Sequence, residues 1–106
     1  MSDPTYPTER PRFRTKATEN GLELAVILPG VSKKHLTVNI QDRLLSIKGE
    51  RRFRDGIENR DYQLGVQLHD ELDPTQIEAS HQDGLLNLKL FKRKELAPKR
   101  IDILSN

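Results

Sequence analysis

From residue 12 onward, apolar side chains recur at every second position, the period of a β-strand. Leu22, Leu24, Val26 and Leu28 share one face, while Ala25 and Ile27 make the other face apolar too. That double-sided pattern predicts a central strand. Leu36, Val38 and Ile40 alternate with Thr37 and Asn39, which predicts a strand with one wet face. Leu45 and Ile47 continue the alternation, as do Tyr62, Leu64, Val66 and Leu68. Ile77 with Ala79, then Leu86, Leu88 and Leu90, complete it. No stretch holds helical spacing. The turns agree: Asn20-Gly21, Asp55-Gly56 and Asp83-Gly84 are two-residue links that accept positive φ and predict hairpins. Pro29-Gly30, Asp42-Arg43 and Asp73-Pro74 separate the remaining runs. About seven short antiparallel strands imply an all-β sandwich of two sheets.

A chain of 106 residues holds one core and no second domain. Pro4, Pro7 and Pro11 among polar residues mark 1–11 as a disordered tail. The domain is expected over 12–92, and 93–106 reads as a charged extension in which Pro98 precedes Ile101-Asp102-Ile103. The formal charge of +2 is too small to imply a nucleic-acid partner. The absence of cysteine excludes disulfides, thiolate metal sites and a cysteine nucleophile. The apolar run Leu24–Leu28 is far short of a membrane span, and the N-terminus lacks the features of a signal peptide, so the expected location is cytoplasmic.

Chemistry-bearing motifs are sparse. His35, His69 and His81 stand at no metal-ligand spacing, and Asp70-Glu71-Leu72-Asp73 lacks the glycine and the terminal glutamate of a calcium loop. All three fall at strand starts or ends and read as solvated surface histidines. Arg51-Arg52-Phe53-Arg54 reads as a solubilising edge rather than a nucleic-acid platform. No nucleophile–base pair or phosphate-binding glycine loop is visible. The expectation is therefore a protein with no enzyme activity, no metal and no cofactor.

Four ordered motifs carry a resemblance. Leu28-Pro29-Gly30-Val31 leads into Leu36-Thr37-Val38-Asn39-Ile40; Leu45-Ser46-Ile47-Lys48-Gly49-Glu50-Arg51 follows; Ala79 to Leu86 fits A-x-x-x-n-G-x-L; Ile101-Asp102-Ile103 fits an I-x-I tail. Together they resemble the α-crystallin domain of small heat shock proteins over roughly residues 11 to 103. The resemblance implies an immunoglobulin-like sandwich and an ATP-independent holdase chaperone. Such a protein binds partly unfolded clients and builds homo-oligomers from dimers. It also implies an acceptor groove for the tail of another subunit, here Leu36, Val38 and Ile40 on one side and Ile77 and Ala79 on the other. An alternative is an interaction module without holdase activity, which co-assembles with a longer paralogue or serves as a co-chaperone adaptor.

In an extended tail Ile101 and Ile103 point the same way, with Asp102 toward water. Burying two isoleucines contributes about 3–6 kcal/mol. Ordering roughly five tether residues costs about 5–10 kcal/mol. Each edge hydrogen bond returns about 0.5–1.5 kcal/mol. The sum lies near zero, so one docking is weak and assembly needs several tails together. For the dimer, Asp55-Gly56 can close a plain hairpin of Glu50–Arg54 against Ile57–Asp61, giving an edge of Ile57, Asn59, Tyr62 and Leu64 in which Tyr62 and Leu64 are core residues that pair chiefly through backbone; a shortened loop that swaps into the partner is the alternative.

Overall fold

A computed structural model describes residues 6–94 and Ile103. Among them run eight strands: β1 (Thr8–Glu9), β2 (Phe13–Thr18), β3 (Gly21–Ile27), β4 (Val31–Gln41), β5 (Leu44–Arg51), β6 (Arg60–Gln67), β7 (Leu72–Gln82) and β8 (Leu85–Lys92). They form two four-stranded sheets, in the orders β1-β6-β5-β4 and β2-β3-β8-β7. The alternation read from the sequence decides what lies between them. Leu24, Val26, Leu28, Leu45, Ile47, Tyr62, Leu64, Leu86, Leu88 and Leu90 are buried in one core. Opposite that core, the outer face of the second sheet sets Lys16 beside Glu23, Glu23 beside Lys89, and Lys89 beside Glu78, a row of alternating charge.

Asp83-Gly84 forms the hairpin that its dipeptide predicts, and Asp42-Arg43, read only as a separator, forms another. Gln41 pairs with Leu44 and Gln82 with Leu85, which leaves Asp42-Arg43 and Asp83-Gly84 as two-residue links. All four residues have positive φ, at 50°, 65°, 52° and 75°. The first hairpin differs by one residue. Thr18 pairs with Gly21, so the link is Glu19-Asn20 and Gly21 already lies in β3. There a side chain would collide with the Leu90 carbonyl, so close strand approach, not turn geometry, requires the glycine.

Two further expectations are corrected. Residues 6–11, read as part of a disordered tail, run along the domain instead. Thr8–Glu9 pairs parallel with Asp61–Tyr62, and the Asp61 amide donates to the Pro7 carbonyl at 2.9 Å. The hairpin about Asp55-Gly56 does not extend to Arg54 and Ile57, because strand pairing stops at Arg51 and Arg60. Residues 52–59 form a loop held from within. Asn59 Oδ1 accepts from the Phe53 amide at 2.7 Å, and Asp55 Oδ1 accepts from the Ile57 amide at 2.9 Å. These side-chain bonds offer the backbone an alternative to a ladder.

The sandwich is also an internal duplication. Leu24-Ala25-Val26-Ile27-Leu28 matches Leu64-Gly65-Val66-Gln67-Leu68, and Gln41-Asp42-Arg43-Leu44-Leu45-Ser46-Ile47-Lys48 matches Gln82-Asp83-Gly84-Leu85-Leu86-Asn87-Leu88-Lys89. Thus β3-β4-β5 repeats as β6-β7-β8. Each half lends its first strand to the other's sheet: β3 pairs with β8, and β6 pairs with β5. The register breaks coincide too, with four residues of β4 between Val31 and Leu36 and four of β7 between Leu72 and Ile77.

Candidate functional site

β4 and β7 are the terminal strands of their sheets, and no ladder joins them. Each presents an unpaired backbone edge, and the two edges bound a candidate groove beside the core. Leu36, Val38 and Ile40 on β4 and Ile77 on β7 are half-buried against that core, whereas Ala79 is exposed. These five are the acceptor residues expected from the sequence; they lie along the two edge strands that wall the candidate groove. Register places Ile77, Ala79 and His81 opposite Leu90, Leu88 and Leu86, so all three share the inward face.

The groove has antiparallel walls. The Leu68 amide donates to the Arg43 carbonyl at 2.8 Å, and the Arg43 guanidinium donates to the carbonyls of His69 and Leu72, the latter at 2.7 Å. The end of β4 is thereby tied to the start of β7. Reciprocally, the Leu28 amide donates to the Gly84 carbonyl at 2.7 Å, tying the end of β7 to the start of β4. Ile40 thus lies at the Ile77 end and Leu36 at the His81 end. Chemically the groove offers an apolar floor flanked by two rows of free N–H and C=O groups. An extended segment with alternating apolar side chains satisfies both.

Of the tail anchor, Ile101 lies outside the described residues, and Ile103 is 91% exposed. Among the described residues none covers Ile103. The candidate dimer-edge residues separate. Ile57 stands out at 65% exposure, but Tyr62 and Leu64 are turned into the core at 5% and 2%, and Asn59 is committed to the loop. Tyr62 and Leu64 are thus core residues that can serve an edge only through their backbone.

Beside them lies a strap that the sequence did not announce. The Arg52 guanidinium stacks on the Tyr6 ring at 4.0 Å, Arg60 pairs with Glu9, and β1 covers the outer edge of β6 at Asp61–Tyr62. The hydrogen bond that it donates to Glu9 pushes the Arg60 guanidinium above its usual pKa. The free edge elsewhere is that of β2, with Arg14 and Lys16 on it and the exposed Phe13 at its start. A depression of about 670 Å³ lies on the outer face of the second sheet among Arg14, Lys16, Glu23 and Lys89, away from the groove.

A family model described as Hsp20/alpha crystallin family matches residues 14–104. The chain belongs to that family. Its members are chaperones rather than enzymes. The chain is 25% identical to small heat shock protein C2 of Rickettsia felis over 88% of its own length and 67% of that protein's. It is 28% identical to small heat shock protein C4 of the same organism over 85% of its length and 63% of that protein's. It thus spans about two thirds of these relatives. The small heat-shock protein of Xylella fastidiosa, whose crystal structure reveals a distinct high order structure, superposes with a TM-score of 0.74 at 27% identity. That match covers 92% of this chain and 98% of the other.

Proposed function

We propose that this Hsp20/alpha crystallin chain is an ATP-independent holdase of the cytoplasm. It binds partly unfolded proteins and assembles from dimers through docking of its 93–106 extension into the β4–β7 groove of another subunit. The observation that carries this is the pair of open-edged strands, β4 and β7, with half-buried apolar side chains along them, in a chain whose Ile103 is left bare. Unfolded clients expose what such a slot takes, extended backbone with apolar side chains. Weak tail docking keeps the slot occupied in the assembled state and releases it to clients on heating. For the dimer, the free β2 edge is the acceptor, and the loop 52–59 with its exposed Phe53 and Ile57 is the segment of the partner that reaches it. The strap over β6 argues against pairing through that other edge.

Light scattering of a heated client, with no nucleotide present, tests the holdase reading. Suppression at near-equal subunit ratio is expected. Full aggregation at a several-fold excess of this chain would leave the interaction-module alternative in its place.

A further inference from the structure

The internal duplication makes the groove a slot with three matched levels, and one level breaks the match. On β4 the inward residues are Leu36, Val38 and Ile40; their counterparts on β7 are Ile77, Ala79 and His81. His81 therefore stands where the repeat has Ile40. Its Nε2 is shut off from solvent and has no hydrogen-bond partner among the described residues. A polar nitrogen left that way carries a free-energy penalty, and a turn of the half-buried ring toward the docked tail, where it meets a hydroxyl, removes it. Because the walls run antiparallel, this polar level lies at the Leu36 end, and the opposite end, Ile40 with Ile77, is wholly apolar.

The extension has the same arrangement. In an extended strand, Ile101, Ile103 and Ser105 share one face, two apolar side chains followed by a hydroxyl. Resting on the tail-docking reading above, we infer that the groove takes the tail in one direction only. Ile101 fills the Ile40–Ile77 end, Ile103 lies over the small Ala79, and the Ser105 hydroxyl bonds His81 Nε2. The reverse direction buries the same isoleucines but sets the hydroxyl between Ile40 and Ile77 and leaves Nε2 unpaired. His81 and Ser105 together set the polarity of assembly, while Ile101 and Ile103 supply the attraction.

The chain has no cysteine, so single-cysteine trapping is clean. His35 and Gln76 are matched positions just before the two walls, one beside Leu36 and one beside Ile77. Full-length chains carrying Asn106→Cys are mixed with full-length chains carrying either His35→Cys or Gln76→Cys, and disulfide formation is followed under mild oxidation. The His35→Cys partner should be trapped about tenfold faster. Adding Ser105→Ala, or His81→Leu as an independent second variant, should reduce that preference to near unity while trapping continues. Equal rates from the outset, a preference for Gln76→Cys, or a preference that survives both variants overturns the polarity assignment. Trapping unaffected by Ile101→Ala with Ile103→Ala overturns tail docking itself, a separate failure.

Discussion

Arg43 sits at φ 65° in a turn where glycine is the easy choice, yet its guanidinium reaches the carbonyls of His69 and Leu72. The two facts oppose each other in free energy. Arg43→Ala keeps the strained backbone and loses the clamp, so urea unfolding should register a loss of about 1–3 kcal/mol. Arg43→Gly loses the same clamp but relieves the strain, and should come out about 1 kcal/mol more stable than the alanine variant. Equal stability of the two would mean that the turn stores no strain. Asp73 gives a pH signature. Its carboxylate accepts from the Thr75 hydroxyl at 2.6 Å and the Thr75 amide at 2.9 Å, and these bonds hold its pKa below the usual aspartate value. A lowered carboxylate stabilises the folded state above the ordinary aspartate pKa, and that contribution is lost as pH falls through the depressed value. In an NMR titration Asp73 should protonate below the ordinary aspartate range, and Thr75→Ala should move its midpoint up. None of this was legible in the residues alone. Asp42-Arg43 read as a mere separator, because a long-range clamp has no local sequence signal.

Strands were the most legible elements, since Leu22 to Leu28, Leu36 to Ile40 and Leu86 to Leu90 alternate without interruption. Their boundaries were less so. Asn20-Gly21 looks like a hairpin link, but Gly21 is spent on the close approach to Leu90 and the turn moves back one residue. The loop 52–59 escaped for a related reason, because Asn59 and Asp55 satisfy backbone amides that a hairpin would have paired. The two-residue strand β1 has no periodicity to detect, and only its partners on β6 define it. Its attachment is testable. Arg60 and Glu9 are both about a third or more exposed, so solvent screens their ion pair and it contributes little to stability. Arg60→Ala should therefore leave the unfolding midpoint nearly unchanged. It should, however, speed hydrogen exchange at the Asp61 amide, which bonds Pro7 across the strap. Unchanged exchange there would mean that backbone pairing alone holds β1.

The duplication governs the whole molecule. It exchanges first strands between halves, sets the two bulged strands at open edges, and so creates the groove between them. The repeat was present in the sequence, in Gln41 to Lys48 and Gln82 to Lys89, but strand-by-strand reading passes over a match separated by a full half-domain. The acceptor residues were named through family resemblance; why the strands that carry them stand open is explained only by the topology. Leu24 and Leu64 hold matched core positions at 1% and 2% exposure. Either Leu→Ala change should therefore cost about 2–5 kcal/mol, measured by denaturant unfolding.

The most direct test of the account fills the slot without touching the tail. Ala79→Leu places a larger side chain in the groove, and Ala25→Leu, on the outward face of the same sheet, serves as control. Particle mass is read by native mass spectrometry, alongside the Ile101→Ala with Ile103→Ala variant. The account predicts that slot filling and tail truncation both reduce the assembly to dimers, while the control keeps the parent mass. An Ala79→Leu particle of parent mass, beside a tail variant that has fallen apart, would mean that the isoleucines dock somewhere other than between β4 and β7.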